Sequence, residues 1–520
     1  RLQSLGFCTS PVEVPFTIQD GTEDNYLWRP YQSLSLLSER WGALFSGVPV
    51  SPLWWGLYNW ARNDAAYRLR LEDVSRGIRD NNDVPIIAPE LVNGLFLKRG
   101  YMSGSVTRLE KYRQCPFKFY AQYGLQLEPR KVRSFGAPEI GTFLHANLER
   151  LGTQLLSEHK QWRDLDETAQ QELCARVAAD ILEENRYDED EKTAYDKAIE
   201  ERVVRTLQKT VSRLVDWSSR SSFDTMYLEQ DFGRPNGWES IKVPLGDDRY
   251  LRLVGQIDRI DEYKRDGHTY GMVIDYKSGS TSVNAQEIYY GLKLQLMTYL
   301  LALESAYEKH HDQPMTPAAV VYTYVKNPRT PASEPVSYDE AKALADTNGA
   351  LNNKGYFTDD IDMLEKMDEQ LLTYKGKGPY VPVRITGKGT IHSGDMKVVK
   401  SSGDFDIMCR YTELIMADTG SAIGKGEFPI APYQLNKAIP CSYCDYKTVC
   451  RFDNERNQYN YLTSLNEANA LEKMHEALNG TSENVASGVT SEHMVSSAAK
   501  LLGESVNKDS SMTGGDDNGR

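Results

Sequence analysis

The sequence predicts an α/β fold, a mixed sheet flanked by helices, and three observations carry that reading. Runs rich in β-branched and aromatic residues stand at 226–232, 250–260, 270–277 and 319–325, bounded by polar and turn-forming segments. A helical pattern over about 285–306 separates the last two runs. Two long helical stretches, about 140–157 and 165–218, come before the first.

Taken in chain order, residues 26–62 are rich in Trp and Tyr and read as helices heavily buried in an aromatic core, because no charged or metal-binding pattern accompanies the rings. A new unit begins near Tyr101, where Ser105 is a candidate cap for a helix with many basic and aromatic residues. The acidic run Asp188-Glu189-Asp190-Glu191 is most simply a solvated face. Beyond about Gly480 the chain turns rich in Ser, Gly, Asn and Asp with almost no aromatics, the composition of a disordered tail. There is no internal repeat.

A chain of 520 residues is too long for one ordinary core and suggests roughly three domains. Its 40% hydrophobic and 26% charged composition is that of a globular protein. No apolar run approaches the roughly 18 to 20 residues a membrane helix needs, and the first residues, RLQSLGFCTS, carry neither a signal-peptide core nor an initiator Met. The expectation is a cytoplasmic protein, free of the membrane and cut from a longer chain. A net charge of -14 excludes a surface that is basic all over but leaves room for a local nucleic-acid groove. Seven scattered cysteines, an odd number, do not form a secreted disulfide framework and favour intracellular thiols or a metal site.

The stretch VGQIDRIDEYKRDGHTYGMVIDYKSG (254–279) concentrates the chemistry. Asp266-Gly267 is a two-residue hairpin turn, since both positions must accept positive φ. With Arg265 facing His268, the same register sets Asp258 opposite Asp275, with Cβ atoms about 4.5–5.5 Å apart. Lys277 falls on the same face as Asp275, opposite Gln256. Two like charges that close are costly unless a cation holds them. Three readings stay open: a metal site, a structural ion pair between Lys277 and a carboxylate, or exposed charge. For the first, hard oxygen ligands favour Mg²⁺ or Mn²⁺. The lysine could then orient or deprotonate an attacking water, the parts phosphodiester hydrolysis uses.

The order GTFLHANLERL (141–151), VGQIDRID (254–261), VIDYKSG (273–279) and GLKLQLMTYLLAL (291–303) resembles the RecB-type branch of the PD-(D/E)xK nucleases. The resemblance implies a restriction-endonuclease-like mixed sheet with large helical insertions. It also implies that His145, Asp258 and Asp275 ligate a metal, that the Tyr276 carbonyl adds a backbone ligand, and that Lys277 serves the water. Gln295 and Tyr299, one helical turn apart, would face the site or the DNA. His145 lies at the edge of the apolar stripe Leu144, Leu148, Leu151 and Leu155, free to look into a cleft. Glu229 stands in the run just before the hairpin as a further candidate acid.

Near the C-terminus, PCSYCDYKTVCRFD gives Cys441, Cys444 and Cys450 as C-x2-C-x5-C, a metal-centre spacing because a C-x-x-C turn presents two sulfurs to one ion. Cys115, in RQCPFKFY, is the best fourth ligand; Cys8, Cys174 and Cys409 read as ordinary buried thiols. Sulfur count leaves zinc and iron–sulfur both open. The same arrangement is similar to the nuclease domain of AddB/RexB subunits of bacterial helicase-nucleases, and that likeness implies a [4Fe-4S] cluster clipping the domain ends together.

No ATPase motor is visible, since GSAIGKGE (420–427) has the wrong glycine spacing for a phosphate loop and Gly426 where Ser or Thr should bind Mg²⁺. By resemblance, an AddA/RexA-type partner would supply the motor and feed single-stranded DNA ends, cut 5′-to-3′, during recombination repair. Residues 1–100 would end a degenerate helicase-like region, 101–465 would form the nuclease domain, and 466–520 a short helix and tail. Arg108, Lys111, Arg113 and Lys118, interleaved with Tyr112, Phe117 and Tyr120, are candidate DNA contacts, or else a solvated helix beside the cysteines. The rival readings are a Cas4-like iron–sulfur nuclease and a non-catalytic DNA-binding scaffold with a structural metal.

Overall fold

A computed structural model describes residues 29–45, 49–79, 82–98, 100–128, 137–184, 194–246, 248–279, 281–311, 314–325, 337, 353–374, 376–454 and 456–486. Cys8, the acidic run 188–191 and most of the expected tail lie outside them. The chain divides into two compact units, Arg1–Asp83 with Arg451–Asn457, and Val84–Cys450 with Gln458–Arg520.

In the first unit, α1 (Pro30–Phe45), α2 (Pro52–Asn63) and α3 (Arg68–Arg79) close on Leu34, Leu37, Trp41, Trp54, Ala61 and Leu71. Pro52 opens α2 at a position where its missing N–H costs nothing. The expectation of a heavily buried aromatic segment needs correction, because Tyr31, Trp55 and Trp60 are 55%, 45% and 41% exposed. Trp54 and Ala61 lie on one helical stripe, so the adjacent Trp55 turns away from it.

The second unit opens with α4 (Pro89–Phe96), β1 (Leu97–Lys98) and β2 (Tyr101–Gly104), followed by α5 (Val106–Gln114) and α6 (Pro116–Phe119). Ser105 does sit in extended conformation at the N-cap of α5, without a side-chain capping bond. The helices α7 (Ala137–Ser157), α8 (Glu167–Glu184) and α9 (Ala194–Arg220) come next. Residues 165–218 thus hold two described helices, with 185–193 outside the described residues.

The further strands of the two larger sheets are β3 (Asp224–Phe232), β4 (Ile241–Gly246), β5 (Arg249–Leu253), β6 (Gly255–Arg265), β7 (His268–Lys277), β8 (Met315–Tyr324), β9 (Lys354–Thr358) and β10 (Val399–Lys400). The single run expected over 250–260 is two strands in two sheets. Val254 donates its N–H to Gly104, β5 joins the small sheet β1-β2-β5-β4, and β6 enters the main sheet β10-β9-β8-β7-β6-β3. Gly255 permits the switch, since a Cβ there would lie 2.4 Å from the Phe232 ring. The helix expected over 285–306 is also divided, into α10 (Ala285–Tyr289) and α11 (Gln295–His311). Gly291 breaks it with φ +73, and a side chain there would strike Arg113 and Ile415.

The hairpin forms with the anticipated turn: Asp266 and Gly267 have φ 51 and 80, and pairing runs from Arg265↔His268 to Arg259↔Ile274. The strand β7 then pairs parallel with β8, which makes the sheet mixed.

Helices cover both faces. Val273, Val320, Tyr322 and Tyr356 join one core with Leu300 and Leu303 of α11 and Ile415; Met272, Ile274, Tyr276 and Val321 join the other with Leu144 and Leu148 of α7 and Leu207 of α9. This double cover explains the unbroken apolar run Met272-Val273-Ile274, because a strand buried on both sides has no polar face. Each such side chain contributes about 1.5–3 kcal/mol of burial. Beneath the second face Arg259 donates to both oxygens of Asp261, at 2.7 and 2.6 Å, in a fully desolvated pair.

Candidate active site and cysteine centre

The hairpin ladder stops at Arg259↔Ile274, one step short of the two aspartates. Beyond that step β7 continues against β8, and β6 against β3. In the gap Asp258 Oδ2 accepts the Tyr276 N–H at 2.7 Å. Asp258 and Asp275 are therefore neighbours across diverging strands rather than a closed ladder pair.

His145 comes to this gap from α7. Its Nε2 lies 3.0 Å from the Tyr276 carbonyl, while Nδ1 faces Asp258 Oδ2 at 3.5 Å and Glu229 Oε1 at 3.8 Å. Donation from Nε2–H to the carbonyl leaves Nδ1 as the free ligand atom, the usual way a protein orients a metal-binding imidazole. The carbonyl of Tyr276, anticipated as a ligand, already has the His145 ring as a partner and keeps one lone pair.

Glu229 enters the site by a backbone irregularity. It sits between the pairs Leu228↔Arg259 and Gln230↔Ile257, level with Asp258, and its φ of 45 is left-handed. A glutamate in that conformation stores strain, and such strain collects where a side chain must be aimed. Ligand atoms of His145, Glu229 and Asp258 all lie within 4.8 Å of one another, a group that suits a divalent ion.

Asp275 completes the cluster. One oxygen accepts from Gln295 Nε2 at 2.8 Å and the other meets the Lys277 ammonium. Gln295 also donates to the Tyr299 hydroxyl at 2.8 Å. Burial pushes both Asp258 and Asp275 above the usual carboxylate range, and repulsion between them adds to it for Asp275. Burial pulls His145 down, but Glu229 and Asp258 outweigh it and leave the imidazole raised. Without a cation, then, the site is short of positive charge. His145, Asp258, Asp275, Tyr276, Lys277, Gln295 and Tyr299 are linked by these contacts, while the group of three ligand atoms holds Glu229 and not Asp275. Glu229 was visible only as an acid in a strand, and nothing in its sequence announces the left-handed twist.

A family model described as the PD-(D/E)XK nuclease superfamily matches residues 103–451, most of the chain. The chain belongs to the PD-(D/E)XK nuclease superfamily. A second family model, the ATP-dependent helicase/deoxyribonuclease AddB fifth domain, matches residues 21–77. Among relatives, the B subunit of an ATP-dependent helicase/deoxyribonuclease from Clostridioides difficile (strain 630) is 32% identical over 424 residues, which are 81% of this chain and 36% of that protein. Subunits of the same name from Ruminiclostridium cellulolyticum and Thermoanaerobacter sp. (strain X514) are 28% and 29% identical, over 80% and 84% of this chain and 35% and 37% of theirs. The chain thus spans little more than a third of the length of these relatives.

In this PD-(D/E)XK nuclease Cys115 lies near the C-terminal cysteines. Cys115 joins α5 to α6, Cys441 lies on the turn at Pro440–Tyr443, Cys444 follows it, and Cys450 ends the short helix Lys447–Cys450. All are free thiols. Burial pushes the Cys115 thiol up to about 11, and the nearness of Cys441 and Cys444 adds to it. Cys441 in turn feels Cys444 and Cys450. A metal ion bound beside Cys115 and Cys441 would oppose that rise and hold the thiolate form.

The basic and aromatic helix before Cys115 is more inward than expected for a DNA platform. Arg113 pairs with Asp418 at 3.1 Å, Tyr112 donates to the Glu427 carbonyl, and Tyr120 stacks on Phe428. Arg108 remains exposed, over the Tyr123 ring. Residues 420–427 form the end of the helix Ser402–Gly424 and the turn after it, not a phosphate loop. No described helix is long and apolar enough to cross a membrane.

Proposed function

We propose that this chain is the nuclease portion of the B subunit of an ATP-dependent helicase-nuclease, a Mg²⁺-dependent exonuclease that degrades single-stranded DNA at broken ends for recombination repair in the cytoplasm. The observation that carries the reading is the convergence of His145, Glu229 and Asp258 beside Asp275 and Lys277. The relatives' printed name, which makes them B subunits of a helicase/deoxyribonuclease, supports DNA as the substrate and a helicase-nuclease as the assembly. An AddA/RexA-type partner and 5′-to-3′ polarity follow from the family likeness. The match at 21–77 favours this over a Cas4-like nuclease. In this reading residues 1–100 end a helicase-like region, 101–465 are the nuclease domain, for which the match at 103–451 is the support, and 466–520 are a short helix and tail.

His145, Glu229, Asp258 and Asp275 would hold the ion, which supplies Lewis acidity to a phosphate oxygen and to a water. Lys277 orients the attacking water or offsets the negative charge that builds on a phosphate oxygen. Gln295 holds the Asp275 carboxylate in place, and Tyr299 braces Gln295. Water adds to phosphorus and gives up a proton, the bridging P–O bond breaks, and the leaving oxygen takes up a proton.

Cys115, Cys441, Cys444 and Cys450 would hold a [4Fe-4S] cluster. The family likeness, which implies the cluster, is what favours it over a single tetrahedral zinc.

The test is degradation of end-labelled single-stranded DNA by the full-length subunit in its complex. Mg²⁺-dependent cleavage that disappears in Asp275→Ala and Lys277→Ala supports the reading. Unchanged cleavage in both variants sinks it.

A further inference from the structure

The helix that carries Gln295 and Tyr299 begins without a cap of its own. Gly291 breaks the chain before it, and the residues leading in, Lys293 and Leu294, have no side-chain acceptor. The first N–H groups of such a helix are orphan donors. The acceptor comes instead from α5, distant in sequence: Glu110 Oε1 takes the N–H of Leu294 at 2.7 Å and of Gln295 at 3.1 Å. A carboxylate at a helix N-terminus is favourable both as acceptor and as charge.

The side chain of Gln295 leaves this same anchored residue and bridges Asp275 Oδ1 to the Tyr299 hydroxyl. Glu110 is largely enclosed, and burial raises its pKa to about 7 although both N–H groups, Lys277 and Lys293 pull it down. The Lys277 ammonium is thus near enough to act on the Glu110 carboxyl. Five residues further along, Cys115 follows the last residue of α5 as its C-cap.

We propose that Glu110 is a positioning residue for hydrolysis, fixing the first turn of α11 so that Gln295 keeps Asp275 in its metal-binding pose. The inference rests on the nuclease reading above. A residue displaced by about 1 Å from the chemistry can cost about 100-fold in rate. Removing the cap therefore slows turnover, while DNA affinity, which depends on phosphate contacts elsewhere, stays put.

The experiment uses the full-length subunit in its complex, a labelled single-stranded oligonucleotide, and Mg²⁺ titrations. Glu110→Ala is expected to lower kcat about tenfold or more with KM within about twofold, and to raise the Mg²⁺ needed for half-maximal rate several-fold. Glu110→Gln keeps the oxygen acceptor and should stay within about threefold of wild type. Should Glu110→Ala not fold, Glu110→Asp retains the charge, shortens the reach and should show the same kcat-selective loss. In a Gln295→Ala background Glu110→Ala should add little, because the two act through one side chain.

Wild-type kcat and Mg²⁺ dependence in a folded Glu110→Ala protein would overturn the inference. So would a loss as large in Glu110→Gln, or full additivity with Gln295→Ala. A wild-type complex that digests no DNA brings down the nuclease reading and this inference together. Digestion by wild type with an unaffected Glu110→Ala variant brings down the inference alone.

Discussion

The backbone of Tyr276 serves His145 and Asp258 at once: its carbonyl lies 3.0 Å from His145 Nε2, and its N–H donates to Asp258 Oδ2 at 2.7 Å. One peptide strand thereby fixes an imidazole and a carboxylate that come from different elements. Replacing His145 by Ala should raise the Mg²⁺ concentration for half-maximal cleavage about 10–100-fold, with the fold kept. A Mg²⁺ titration of the cleavage rate, with circular dichroism as a control, reads this directly.

Lys277 and Asp275 meet inside the cluster. Lys277→Ala should cut kcat by about 100–1,000-fold while leaving DNA binding nearly intact, since the amine acts on charge that develops in the transition state. Single-turnover rates alongside binding of the uncleaved strand in Ca²⁺ separate the two effects.

The pH dependence has a definite sign. Asp258 and Asp275 are raised by burial, and Glu110 is raised to about 7 by the same cause. Between the ordinary carboxylate pKa and those raised values the metal-free native state holds more protons than the unfolded chain, so its stability falls as pH rises through that window. His145, also raised, works in the same direction. Asp395 opposes it at the acid end. Burial pushes its carboxyl up, but Arg384 and Lys377 hold it at about 2, so its contribution is lost below about pH 4. Metal-free protein should melt at higher temperature near pH 5 than near pH 8, and Mg²⁺ should raise the melt most at the higher pH. Melting curves at several pH values, with and without Mg²⁺, check both statements.

Cys450→Ala should lose iron and visible absorbance together with several degrees of melting temperature. By analogy with other covalent clips, closing a loop of more than three hundred residues between Cys115 and Cys441 contributes on the order of 2–5 kcal/mol. Unchanged iron content and melting would remove the cluster from the account.

The desolvated pair beneath the sheet makes a stability prediction free of the active-site chemistry. Asp261→Ala leaves the Arg259 guanidinium buried among Trp162, Trp217 and Tyr276 and should cost about 3–5 kcal/mol in denaturant unfolding.

By itself the sequence determined what depends on neighbours a few residues apart. The Asp-Gly turn and the period of two along a strand brought Asp258, Asp275 and Lys277 together, and the C-x2-C-x5-C spacing marked the cysteine centre. Even there the strands diverge just before the aspartates, because pairing with β3 and β8 takes over. The tertiary structure alone decided the rest. It split one expected strand at Gly255 and one expected helix at Gly291, where side chains from distant segments leave no room for a Cβ. It gave Glu229 a left-handed backbone, set His145 against a carbonyl 131 residues away, and capped α11 with a glutamate 184 residues away. Turn and strand geometry act over a few bonds, whereas these contacts arise only when both faces of the sheet are covered.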